Sequence, residues 1–217
     1  MEGKILRMHH VASMNLQTIT PISIGWNCNP AIFRGNQLKF LKSNGYLTCP
    51  FDLCVTPFEG LCQVLLDDFD ETKFFNLRVE YDPYNKQDCI LNEYNMWFNH
   101  EAEETKDPVV AWQPGKWKEN DYALFRERYA ARIQNFKSYV NTAQEVVFIM
   151  VDSHPRLIRI LLNVLKFKYP RLNYKVLLLD NDQRVFLDQH LHSPGFPSVN
   201  DTTFLPNLCM KFKQFDC

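Results

Sequence analysis

Residues 146–151, Val-Val-Phe-Ile-Met-Val, form an apolar run with no polar alternation, and residues 174–179 form a second run that is almost as apolar. A strand without alternation must be covered on both faces, as in parallel sheets. Between them, residues 155–169 place apolar side chains at helical spacing behind Pro155. Strand, helix, strand in that order is a βαβ unit, which closes by a right-handed crossover. This pattern predicts an α/β chain with a largely parallel central sheet and helices on both faces. Ligands in such sheets gather beyond the carboxyl ends of the strands, so the residues just after each strand are the place to look for chemistry.

The remaining elements follow from local signals. Residues 21–25 read as a short strand, and residues 30–44 as a helix closed by Gly45 at C′. Residues 46–51 read as a second extended stretch. Thr56-Pro57-Phe58-Glu59 has the form of a capping box, and Phe58, Leu61, Cys62, Leu65 and Phe69 recur at helical spacing behind it. Leu77, Val79 and Tyr81 alternate with polar residues, Asp82-Pro83 marks a turn, and residues 89–91 and 94–99 are extended pieces joined through Asn92-Glu93. These predict an antiparallel hairpin insertion. Residues 101–119 read as a long loop, followed by a helix capped by Asn120 with Tyr122, Phe125, Tyr129, Ile133, Phe136 and Val140 on one face. The reading is one domain over residues 1–217, with residues 1–20 and 189–217 as peripheral arms.

Charge and composition remove several function classes. With 24 basic and 25 acidic side chains the net charge is −1, so no long-range field recruits nucleic acid or anionic lipid. No apolar window suits a membrane span or a signal peptide. Seven cysteines without an export signal read as reduced thiols, which points to the cytoplasm. The spacing of Cys49, Cys54 and Cys62 is too wide for a zinc knuckle, and His190-Leu191-His192 reads as exposed. The seven glycines make no phosphate-binding fingerprint. No metal, no cofactor, no nucleic acid and no membrane are expected; oligomeric state has no signature.

Cys28 is the candidate centre. It lies in Gly25-Trp26-Asn27-Cys28-Asn29-Pro30, just past the first strand and one residue ahead of a helix that Asn29 would cap. Unpaired N–H groups and the macrodipole there favour an anion, which lowers a thiol pKa. A thiol nucleophile also needs a base, and His100, at the end of the hairpin strand, suits that role. Asp52, Asp152 and Asp180, each placed after an extended stretch, compete to orient the imidazole. The competing reading makes Cys28 a small buried hydrophobe, the commonest fate of cysteine.

Ser23-Ile24-Gly25-Trp26-Asn27-Cys28, followed by Pro50-Phe51-Asp52, resembles the opening of a family described as papain-like cysteine peptidases. Its biological function is unknown, and its members occur in bacteria and large DNA viruses. The resemblance continues through residues 94–99 into His100, and through Phe125-Arg126-Glu127-Arg128-Tyr129-Ala130-Ala131-Arg132-Ile133 before the buried strand, covering about residues 21–179. Leu53 departs from it, standing where the family has tryptophan. The resemblance implies a thiol hydrolase with Cys28 as nucleophile, His100 as base and Asp52 as the conspicuous acid. The papain-like label also implies an alternative fold, α+β, with a nucleophile helix packed on an antiparallel sheet.

Together these give the expectation of a cysteine-dependent hydrolase, a peptidase or isopeptidase, working by acyl transfer on a peptide or protein substrate. Backbone N–H groups at the helix start would stabilise the oxyanion. Asn27, Asn29 and Trp112 are the expected oxyanion and substrate-facing residues. The rival is a non-catalytic protein that binds a host or other protein partner on a hydrolase scaffold, in the host cytoplasm for a viral member.

Overall fold

The computed structural model describes residues 4–25, 27–82, 87–98, 121–179, 207 and 210–215. Four strands, β1 (Lys4–Arg7), β2 (Ile19–Ser23), β5 (Glu145–Val151) and β6 (Tyr174–Leu179), form one sheet in the order β1-β6-β5-β2. Every neighbouring pair is parallel, with Ile149 of β5 opposite both Ser23 of β2 and Leu177 of β6. Two further strands, β3 (Arg78–Asp82) and β4 (Gln87–Leu91), make a separate antiparallel hairpin. The chain is thus mixed α/β with a parallel main sheet, and the antiparallel sheet of the α+β alternative is not what the four main strands build.

The uninterrupted apolar run of β5 has its explanation in the two faces of this sheet. Val146, Phe148 and Met150 point into a large core shared with α2 (Phe58–Leu66), α4 (Ala123–Thr142) and α5 (Pro155–Lys168). Val147 and Ile149 point into a smaller core with Leu38, with Phe33 of α1 (Asn29–Asn36), and with Met8 and Val11 of a 3-10 turn, Met8–Ser13. The steps from β2 to β5 and from β5 to β6 run the same way across the sheet, and α4 and α5 return along one face. The step from β1 to β2 runs the opposite way, past the other face. Reversing both direction and face preserves the hand, as the crossover rule requires.

Several local expectations are corrected. The helix after Cys28 stops at Asn36, because Lys39 takes a left-handed backbone (φ 61°) and turns Leu38 into the smaller core. Gly45 is left-handed (φ 87°), as expected of a terminator, but it ends the 3-10 turn Lys42–Asn44. Residues 46–51 pair with no strand. They bend into a turn at residues 50–53, and the Asp52 N–H donates to the Cys49 carbonyl at 3.3 Å. The capping box does not form: Pro57 is the N-cap of α2, and the buried Thr56 hydroxyl lies 3.3 Å from Cys54 Sγ. Residues 4–7, read as part of a peripheral arm, are the edge strand β1. At the other end Phe212 and Phe215 are buried in the large core, and Asn163 of α5 donates to the Phe215 carbonyl at 2.5 Å. Asn120 lies outside the described residues; the first residue of α4 follows Tyr122, itself left-handed (φ 60°).

The hairpin insertion follows its signals more closely. Asn92 is fully buried, and its Oδ1 accepts from the N–H groups of Tyr94 and Met96, both at 3.1 Å. That Asx-type turn returns the chain so that Trp97 bridges to Leu91 and to Val55. Helix α2 lies so close to the turn that a Cβ at Gly60 would stand 2.1 Å from the Tyr94 carbonyl oxygen. Between α2 and β3 a single turn of helix, α3 (Glu71–Phe74), is capped by Asp70, whose carboxylate accepts from the Thr72 N–H at 2.9 Å.

Candidate functional site

Beyond Ser23 the chain leaves the sheet in steps. Ile24 still donates to the Ile149 carbonyl at 2.8 Å. Gly25 then turns with φ 70°, against Leu61 of α2; a Cβ there would come within 2.8 Å of the leucine side chain. Asn27 is buried; its N–H donates to the Gly25 carbonyl at 3.1 Å, and its Oδ1 accepts from the Asn29 N–H at 2.9 Å. Its amide therefore organises the helix start, while Cys28 is the N-cap residue, one position nearer the helix than expected. The Cys28 carbonyl accepts the first helical bond, from Ile32 at 3.0 Å.

Cys28 is half-buried, whereas Cys49, Cys54, Cys62 and Cys89 are buried. It is thus the described cysteine that a solute can reach. Its ionisation contradicts the expectation. Burial pushes the thiol up from its ordinary value, and a hydrogen bond from its own backbone N–H offsets this only in part. Desolvation is the dominant influence on this thiol. The free protein therefore holds Cys28 as a thiol at neutral pH, and any nucleophilic role requires a base to take its proton.

His100, the expected base, lies outside the described residues, as do Trp112, Asp180 and Trp26. Asp52 is described in full. It is 1% exposed, and four groups converge on its carboxylate. The Ser23 hydroxyl donates to Oδ1, the Cys49 N–H to Oδ2 at 2.8 Å and the Tyr46 hydroxyl to Oδ2 at 3.1 Å, while Arg34 Nη2 pairs with Oδ2 at 3.5 Å. Arg34 itself lies flat on the Tyr46 ring, 3.5 Å from its centre, and donates through Nη1 to the Phe40 carbonyl at 2.7 Å. Helix α4 holds the same segment from outside: Tyr139 accepts from the Leu47 N–H at 2.7 Å, and Asn135 donates to the Thr48 carbonyl at 2.9 Å. Burial and the Asp52 charge together push the Tyr46 hydroxyl well above its ordinary value, so it serves as a donor.

Asp152 occupies the place expected after β5 but is committed elsewhere. It forms an ion pair with Arg7, which reaches over the end of β6 from β1, and its Oδ1 accepts from the Ser153 N–H at 2.9 Å. His154 caps α5; its Nδ1 accepts from the Arg156 N–H at 3.2 Å. Sequence reasoning missed Arg7, Arg34 and Tyr46. Only Tyr46 had a signal, as an aromatic opening the extended stretch that the conspicuous Asp52 follows.

Among the described residues no group of three or more His, Cys, Asp and Glu side chains is placed to hold a metal ion, and no helix is long and apolar enough to cross a membrane. No protein-family model, curated protein or solved structure matches this chain.

Proposed function

We propose that the protein is a cysteine-dependent hydrolase acting by acyl transfer at the carboxyl end of its parallel sheet. The observation that carries this reading is the position of Cys28: half-exposed, on the N-cap of α1, immediately past β2. That is where open α/β sheets bind ligands, and where the unpaired N–H groups of a first helical turn face an incoming oxygen. Cys28 Sγ attacks the substrate carbonyl carbon as His100 takes the thiol proton. His100 then returns that proton to the leaving amine, and water hydrolyses the thioester. The burial-raised thiol makes the base indispensable. The resemblance to the papain-like family supports the same pairing and a peptide or isopeptide substrate.

The same raised ionisation favours a second reading, in which Cys28 lines a crevice that binds a protein partner without chemistry. Labelling with an electrophilic peptide probe at pH 7, followed by mass spectrometry, separates the two. The hydrolase reading expects modification at Cys28, loss of it in Cys28→Ala, and slowing by about a hundredfold in His100→Ala. Equal labelling of the His100→Ala variant, or a modified Cys49 or Cys54 in its place, overturns it.

A further inference from the structure

We infer that Ser23, Asp52 and Arg34 form a positioning device that fixes the turn carrying Cys28. The inference rests on the reading of Cys28 as the reacting group and adds residues to it. Ser23 is the last residue of β2, five positions before Cys28; Arg34 lies on α1, six positions after it. Both are fastened to one carboxylate, Ser23 through its hydroxyl and Arg34 through Nη2. The strand-turn-helix segment is therefore strung between two attachments on Asp52, with the thiol near its middle.

Three observations make the attachment rigid. The carboxylate is 1% exposed, so water does not compete for it. The Cys49 N–H and the Tyr46 hydroxyl hold Asp52 from its own segment, which α4 pins through Tyr139 and Asn135. Arg34 is clamped between the Tyr46 ring and the Phe40 carbonyl. A charged pair this buried is a costly way to hold a helix that apolar packing would also hold. What it adds is directional: a guanidinium anchored on the Phe40 carbonyl through Nη1 and a hydroxyl, both meeting one carboxylate, set the orientation of α1 against the end of β2. Asp52 so placed acts through Ser23 and Arg34, and not by contact with substrate.

The test reads the thiol directly. The pH dependence of Cys28 carbamidomethylation by iodoacetamide is followed by mass spectrometry in the full chain, for the unaltered protein and for Ser23→Ala, Arg34→Lys and Tyr174→Phe. Releasing either attachment lets the turn open and exposes the thiol, so Ser23→Ala and Arg34→Lys move the midpoint down by about half a pH unit or more. Tyr174→Phe, which removes a hydroxyl bound to the Leu162 carbonyl and touches neither end of the turn, leaves the midpoint in place. An unchanged midpoint in a folded Ser23→Ala variant overturns the inference, as does an equal shift in Tyr174→Phe. Ser23→Ala removes one hydroxyl, so it supplies the decision even if Arg34→Lys fails to fold. The readout needs no turnover: failure of the hydrolase reading appears as absent probe chemistry, and failure of the positioning device as an unmoved midpoint.

Discussion

Asp52 shows how one side chain takes on a role its motif does not announce. A carboxylate in Pro50-Phe51-Asp52 reads equally as a turn residue or as a partner for histidine, and its geometry is that of a buried hub. Removing it leaves the Arg34 guanidinium, 8% exposed, without its counter-ion. Asp52→Ala is therefore expected to cost about 3–5 kcal/mol, the range for breaking a buried pair from one side, measured by urea unfolding. A cost below about 1 kcal/mol would mean that water reaches Arg34 freely. The place of Cys28 at the start of α1 was legible in the sequence because its cue is local: a cysteine between two asparagines, ahead of Pro30. Arg34 was not, because its meaning depends on residues 23, 40, 46 and 52 converging in space. The sign of the Cys28 shift was likewise out of reach, since it is set by how deeply the turn is packed and not by the helix start alone.

At the scale of elements, those defined by a long periodic pattern were legible and those ended by tertiary contacts were not. β5, α5 and β6 lie within a residue of their expected bounds, and α2 buries four of the five side chains its spacing selects, while the fifth, Phe69, is buried beyond the helix end. Helix α1 stops early, where Lys39 turns left-handed, and residues 46–51 pair with no described strand, Tyr46 and Asp52 meeting Arg34 instead. Where two elements meet backbone to backbone, a glycine carries the contact. Gly60→Ala would drive a methyl group into the Tyr94 carbonyl and lift α2 off the hairpin turn. We expect a loss of about 3 kcal/mol, at the upper end for overpacking, seen as a lower urea midpoint with the m-value unchanged.

Across the large core of the molecule, burial favours the protonated form of several described thiols and phenols. Burial raises Cys62 and Tyr46 well above their ordinary values, and burial with the Asp52 charge does the same for Cys49. The unfolded chain releases these thiol protons from about pH 9, whereas the folded chain retains them. Unfolding thus releases protons in that range, so stability is full below pH 9 and falls above it. Each buried thiol contributes about 1.4 kcal/mol of loss per pH unit above that point. Urea unfolding at pH 8 and pH 10 should show the decline, and Cys62→Ala should make it shallower. An undiminished midpoint at pH 10 would mean that these thiols ionise in place.

The pairing of Lys4 with Lys175 joins the first described residue to the last described strand. On a translating ribosome β1 emerges early and has no ladder to enter until residues 174–179 follow it out of the exit tunnel. Such a register favours slow, late closure over stepwise growth, because the entropy of bringing distant segments together is met before their contacts form. The nascent chain therefore carries β1 unpaired until β6 has been made, a natural client for whatever guards exposed strands in its cell.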